Sequence, residues 1–379
     1  MKKGIMISIV IGLMIFIVGS FNYENSEKNE NTFEVSAVVL ETDDSGMIQA
    51  GISKIGDQSV TVIITEGKHK GENLEAKNHL MGKLDYDNYY KKGDKIVVAI
   101  LEEEDNIQQA ITVDLYRQGW QMILFVLFVI CLILYAGVTG IKALFSFVAS
   151  VCIIWMFLIP SLLNGKSPLI LSMVTLTLLS AIIIFSIAGF TKKGVSAFVG
   201  TMSGIIVTMG LTIFFGDKLA LLGMTSPFAE TLLFSGHMDL NMQHIFYAAI
   251  IMGASGAAMD IAMDVCASME EIKNKKPDID RKGLIQSGFN VGRAVIGTMT
   301  TTLLLAYSGG YLTLLMLFMS KNTSLARMMN LKIVAAEIMR TIVGSIGLVL
   351  VAPITALVAG VIFSHDFSKG WNLFEVKKI

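Results

Sequence analysis

The sequence predicts an α-helical polytopic membrane bundle, about seven core transmembrane helices plus an N-terminal anchor, carrying a small extracytoplasmic all-β domain of OB-like or barrel type. Three observations carry that prediction. Of 379 residues, 53% are hydrophobic and 16% charged, and the mean hydropathy is +0.64, whereas an ordinary soluble domain carries about 25% charge. Apolar runs long enough to cross about 30 Å of hydrocarbon recur from residue 118 onward. The charge is also partitioned. Residues 21–118 hold 19 acidic and 10 basic side chains and the rest of the chain 12 and 20, behind a net charge of −1. These features exclude a disordered chain, a basic nucleic-acid-binding protein and an ordinary soluble enzyme.

Residues 1–21 read as the anchor. Lys2 and Lys3 precede an uncharged run from Gly4 to Ser20; this is the pattern of a signal-anchor helix or of the apolar region of a signal peptide, with Val18 and Ser20 as small cleavage-site residues. We take it as a retained anchor. Either way, residues 22–117 are delivered outside. There Phe33–Leu40, Val60–Thr65 and Ile96–Leu101 are rich in Val and Ile, and Asp43-Asp44-Ser45-Gly46, Ile55-Gly56-Asp57 and Lys92-Gly93-Asp94 supply turn chemistry. About five short strands are expected.

Residues 118–379 form the bundle. Seven runs qualify as spans: 119–138, 142–160, 168–189, 195–216, 245–268, 289–319 and 332–363. With the N-terminus inside, inner connections hold 13 basic residues and outer ones five, so the positive-inside rule places both termini in the cytoplasm, the β domain outside and the chain in the cytoplasmic membrane. Two runs exceed one simple helix. The first contains Ser308-Gly309-Gly310, the second Gly344, Gly347 and Pro353, so each is read as an ordinary bend plus an interfacial stretch, the alternative being a broken helix that lines a cavity. Gly216–Gln243, with Pro227 and Gly236, reads as a re-entrant or interface-lying piece. Cys131, Cys152 and Cys266 lie in apolar runs with no metal or disulfide spacing.

Ionisable residues at membrane depth are costly and rarely face lipid. Asp260 and Asp264 lie one turn apart on a stripe that runs Ala249, Gly253, Gly256, Asp260, Asp264, Ala267 and Glu271. Small residues admit a close partner helix, so these carboxylates are expected to face protein. Arg293 falls at the depth of Asp264, and a pair between them is expected. Asp260 is then left to Thr298, Thr300, Thr301 and Thr302, a set able to hold a cation or carry a proton. A structural ion pair with a protonated Asp260 is the plainer alternative. Glu337 and Arg340, three apart, are expected to pair along one helix face, either bracing the bundle or lining a cavity. Met252, Met259, Met263 and Met269 suggest either soft-metal ligation or core packing, and His237, Asp239 and His244 either a metal cluster or solvated loop polars. No phosphate loop, zinc-protease or nucleophile-elbow motif occurs. The chain reads as non-enzymatic, and no metal or other cofactor is implied.

Gly253–Ile272 (GASGAAMDIAMDVCASMEEI), Gly292–Gly310 (GRAVIGTMTTTLLLAYSGG) and Glu337–Ala356 (EIMRTIVGSIGLVLVAPITA) resemble the bacterial YibE/F-like membrane protein family, as do Tyr116-Arg117 and Lys92–Asp94. The resemblance covers nearly the whole chain after the anchor. It implies an extracytoplasmic domain followed by a polytopic bundle, with Asp260, Arg293, Glu337 and Arg340 at pattern positions, and it implies no particular activity. Asp264 stands where the pattern suggests a small polar residue such as Ser, so an Asp260/Asp264 dyad is not expected to be a common mechanism. The expected function is a permease or exporter component, cation- or proton-coupled. The alternative is a scaffold whose β domain, residues 22–117, binds a protein partner. Beyond the lipid bilayer and that partner none is implied, and nucleic acid is excluded.

Overall fold

The computed structural model describes residues 32–103 and 106–364, so the anchor at 1–21 and the C-terminal tail lie outside the described residues. The chain divides into two compact units, residues 1–137 and 138–379. The first begins with six strands: β1 (Thr32–Asp43), β2 (Met47–Ala50), β3 (Ser53–Ile64), β4 (Asn73–Met81), β5 (Lys95–Glu103) and β6 (Asn106–Leu115). Five close into a barrel in the order β1-β3-β4-β6-β5-β1, and β2 hangs on β3 as an extra edge strand. Strand β1 makes closure possible by serving two neighbours. Thr32–Val38 pair with β5 and Ala37–Asp43 with β3, and a register shift between Val39 and Glu41 lets the strand bend from one to the other.

Period-two alternation fills the barrel: Val35, Ala37 and Val39, Val60, Val62 and Ile64, and Ile96, Val98 and Ile100 are all buried inside. The seam between β4 and β6 has one parallel pair, Lys77 with Ile111. Buried polar side chains stitch it instead. The Thr112 hydroxyl donates to Asn78 Oδ1 (3.1 Å), Asn78 Nδ2 donates to Gln58 Oε1 (3.0 Å), and Gln58 Nε2 donates to the Tyr90 carbonyl (3.0 Å). This last bond clamps the β4–β5 loop onto the barrel. Asp43-Asp44-Ser45-Gly46 turns as expected; the Ser45 N–H donates to Asp43 Oδ1 (2.9 Å), which holds that carboxyl below its ordinary range. Ile55-Gly56-Asp57 is not a turn. It lies inside β3, where Gly56 (φ 108°) passes close to the Gly46 carbonyl, and the hairpin reverses at Gly51-Ile52 instead.

The helices are α1 (Gln118–Ile153), a π-helical turn (Ile154–Leu158), α2 (Ile159–Leu163), α3 (Pro168–Ala188), α4 (Lys192–Lys218), α5 (Ala229–Phe234), α6 (Met242–Lys275), α7 (Arg281–Gly310), α8 (Leu312–Ser320), α9 (Leu325–Met329) and α10 (Lys332–Ser364). Polar caps start several of them: Thr191 accepts from the Gly194 N–H, Asn241 from that of His244 and Asp280 from that of Gly283. Among the described residues, five helices are long and apolar enough to cross a membrane, or six if α7 and α8 count as one broken span. The sequence predicts seven. The difference lies in residues 118–163, a stretch of 46 residues whose expected connection near Lys142 is helical and whose interruption falls at Gly137 (φ 53°, ψ −123°).

Of the two long runs, one is broken. Helix α7 ends at Gly310 and α8 leaves it at 66°, whereas α10 runs unbroken through Gly344, Gly347 and Pro353. The α10 glycines serve packing. A Cβ on Gly347 would stand 2.0 Å from Thr208 Oγ1, and one on Gly204 2.0 Å from Val351 Cγ2. Helices α4 and α10 therefore approach through small residues, and α10 stays helical past its proline. Between α4 and α6, residues 219–241 contribute only α5 and turns, with Phe228, Phe234 and Met238 exposed.

Candidate functional site

Helix α6 is the most enclosed of the apolar helices, yet one face stays open. Ala249, Gly253, Gly256, Asp260, Asp264, Ala267 and Glu271 are all exposed, while Ala258, Ile261, Ala262, Val265, Cys266 and Met269 on the other faces are buried. The sequence leads to the expectation of protein against these carboxylates; among the described residues no other helix covers them. The small residues that do mediate close approach are Gly200 and Gly204 of α4 and Gly288 and Gly292 of α7.

The pair between Asp264 and Arg293 does not form either; neither Asp260 nor Asp264 has an ion pair or hydrogen bond among the described residues. Depth is not the cause, since Asp264 lies eleven residues before the end of α6 at Lys275 and Arg293 twelve after the start of α7 at Arg281. Rotation is the cause. Gly288 and Gly292 occupy the contact face of α7, where a Cβ on Gly292 would stand 2.9 Å from Ala352 Cβ and 3.9 Å from Val265 Cγ2. One residue later the helix has turned by about 100°, and Arg293 lies instead on a cavity of about 330 Å³ with Phe289, Gly292 and Ile296 of α7 and Val349, Ala352 and Pro353 of α10. Proline has no N–H, so the Val349 carbonyl at this wall lacks its ladder donor. The cavity thus offers one guanidinium among apolar side chains.

The threonines are bonded back to their own helix: Thr298 to the Val295 carbonyl, Thr300 to that of Ile296 and Thr302 to that of Thr298. Their oxygens remain able to accept. Thr298, Thr301 and Thr302 are exposed and Thr300 is half-buried.

The Glu337–Arg340 pair does form, at 3.6 Å. Arg340 also stands 5.6 Å from the centre of the Phe246 ring. Two tyrosines complete the group. Tyr311, at the break between α7 and α8, stands near both charged side chains, and Tyr307 lies near them too, with its hydroxyl close to Gly253. Glu337 Oε2 and Arg340 Nε are buried with no hydrogen-bond partner, so the cluster is only partly satisfied. Tyr307, Tyr311 and Phe246 escape the sequence reading. The available signal is the pair of tyrosines four residues apart around Ser308-Gly309-Gly310.

A further network also escapes it: the buried Tyr247 hydroxyl donates to Asp217 (3.0 Å), and Gln243 Nε2 donates to both (2.8 and 3.2 Å). At the other end of α6, Lys193 and Glu270 bridge α4 and α6 at 2.8 Å. Among the described residues no three His, Cys, Asp or Glu side chains converge on a metal position, so His237, Asp239 and His244 form no such cluster. Met259 and Met269 are buried in the core and Met263 packs against it.

With the fold and these groups in place, comparison with known proteins is informative. The family model for YibE/F-like protein matches residues 124–365, and that for the YibE/F family N-terminal domain matches residues 24–114. The chain belongs to the YibE/F-like family. No curated protein and no solved structure matches it. In this YibE/F-like chain the gap between the two matched regions, residues 115–123, contains the junction where the barrel gives way to the first apolar helix at Gln118.

Proposed function

We propose that this YibE/F-like protein is a multi-pass protein of the cytoplasmic membrane whose bundle serves as a cation- or proton-coupled permease or exporter component. The observation that carries the reading is the stripe of α6, where Asp260 and Asp264 stand exposed and, among the described residues, unpaired inside a helix long and apolar enough to cross a membrane. A carboxylate kept there is expensive and marks an ion or proton path. Asp260 is the coupling carboxylate, Thr300 and Thr301 offer acceptor oxygens near its depth, and Arg293 supplies a positive wall to the adjoining cavity. Glu337 and Arg340 form a second charged station beside the break at Tyr311, and broken helices of this kind line transport sites.

The reading includes topology. Forty-six helical residues measure about 69 Å, roughly twice the hydrocarbon thickness, so residues 118–163 are two spans divided at Gly137. Seven core spans follow, with an anchor at 1–21, both termini cytoplasmic and an OB-like barrel outside. The alternative is a scaffold in which the charges only lock helices and the barrel binds a protein; the Lys193–Glu270 bridge favours it.

The test is charge movement in proteoliposomes across a panel of monovalent and divalent cations and a proton gradient. A current that disappears in Asp260→Asn, with folding intact, is the expected result. Absence of current from folded unmodified protein overturns the transporter reading, and loss of function only on removing residues 22–115 supports the scaffold.

A further inference from the structure

The barrel is apolar at one end only. Strand pairing sets Ile48 of β2 opposite Ile55 of β3, and Ile55 opposite Met81 of β4, giving one row across three strands. All three are exposed, and Ile52 at the hairpin tip is the most exposed of the group at 88%. Gly82 packs against Ile55 and carries the surface into the β4–β5 loop, where Leu84 and Tyr86 are also exposed. At the opposite end the β3–β4 connection reads Thr65-Glu66-Gly67-Lys68-His69-Lys70-Gly71-Glu72, with Lys68 bridged to Glu102. Among the described residues that end exposes no large hydrophobic side chain.

Register also fixes which end this is. Strands β4 and β6 run parallel with Lys77 opposite Ile111. Met81 is four residues beyond the first and Leu115 four beyond the second, so both lie at one level; Ile96 of β5 pairs with Leu115 there as well. Only Tyr116 and Arg117 separate Leu115 from helix α1. The apolar end is therefore the end from which the chain enters its first apolar helix.

The chemistry of that end matches a lipid–water boundary. Lys54 Nζ lies 5.5 Å from the Tyr89 ring centre, Lys83 Nζ 5.7 Å from that of Tyr86, and Lys95 Nζ 4.8 Å from that of Tyr116. Tyrosine and lysine share one preference, an apolar body with a polar tip, and both concentrate at headgroup level. Strand β2 is moreover an edge strand with an exposed isoleucine, a surface that invites aggregation unless something covers it.

We propose that the helix-attached end of the barrel rests on the bilayer surface, with Ile48, Ile52, Ile55, Met81, Leu84 and Tyr86 seated among lipid headgroups. This rests on the reading of α1 as a membrane helix. The membrane is the occupant because the patch is continuous, through Leu115, with the helix that enters it. Docked this way, the barrel is held against the membrane by its own surface as well as by its tether.

The test uses the full chain with Cys131, Cys152 and Cys266 replaced by Ala, in phosphatidylethanolamine–phosphatidylglycerol liposomes. A nitroxide is placed through Ile52→Cys, Lys70→Cys or Leu127→Cys. Docking gives a label at 52 that collides with oxygen and is shielded from a water-soluble nickel chelate, and a label at 70 that behaves oppositely. A label at 52 as nickel-accessible as that at 70 overturns the proposal, provided the label at 127 lies in lipid. A nickel-accessible label at 127 instead sinks the membrane-helix reading, and the docking with it. Shielding of 52 from both reagents assigns the patch to a protein contact and also overturns the proposal.

Discussion

Two sets of charges in the bundle look alike in sequence and end differently. Glu337 and Arg340 lie three apart on α10, half-buried and paired at 3.6 Å, with Tyr311 and Phe246 around them. Asp264 and Arg293 lie at one depth on adjacent antiparallel helices, yet Asp264 faces outward and Arg293 lines a cavity. Spacing along one helix fixes which side chains share a face. Equal depth on two helices fixes only a height; which way each side chain points depends on how the helices are rotated. In α7 that rotation belongs to Gly288 and Gly292, because only glycine permits the contacts with Ala356 and Ala352 at those positions.

Perturbing the formed pair should have the largest effect. Glu337→Gln leaves the Arg340 guanidinium without its counter-charge among apolar helices and should cost about 3 kcal/mol, read as a lower melting temperature in detergent or lipid. The double change with Arg340→Met should recover part of the loss. If Glu337→Gln is neutral, the pair is not structural and the cluster is freely hydrated.

Gly292→Leu comes next. Its side chain would meet Ala352 and drive α7 from α10, at about 2 kcal/mol for overpacking, and cross-linking between positions 289 and 349 should report the wider cavity. Unchanged stability and spacing would show that glycine does not set the rotation. Tyr311→Phe removes one hydroxyl beside Glu337 and should cost about 1 kcal/mol, measured by thermal unfolding; a neutral result would remove Tyr311 from the cluster.

The smallest effect sharpens the comparison most. Asp264→Asn and Arg293→Met should each change stability by less than about 0.5 kcal/mol, and a double-mutant cycle should find no coupling between them. A coupling energy near 1 kcal/mol would mean that the two groups pair after all, within the chain or between copies.

Much of the fold is legible because its signals are local. Runs rich in Val and Ile mark β1 and β5 within a few residues of their bounds but only the second half of β3, and Lys92-Gly93-Asp94 turns where its composition says, with Gly93 at φ 92°. The bend at Ser308-Gly309-Gly310 is equally readable. The errors arise where one residue type has two uses. Glycine at 56 looks like a turn and is a close crossing inside a strand; glycines at 344 and 347 look like helix breaks and are contact surfaces. The α6 stripe of small residues looks like a helix interface, and no other described helix covers it. Tyr307 and Tyr311 pass unnoticed because a tyrosine in an apolar run is ordinary until a charge from another helix arrives beside it.

The sequence alone therefore determined the apolar helical body, the β domain before it, the pairing of Glu337 with Arg340 and the family. Each depends on composition or on spacing within one element, where bond geometry leaves little freedom. The tertiary structure decided the rest: closure of the barrel through β1 and the Gln58–Asn78–Thr112 stitch, the unbroken course of α10, and the separation of Arg293 from Asp264. These depend on how elements distant in sequence rotate and pack, and the residues that set those rotations are glycines, whose missing side chain acts only when a neighbour comes close.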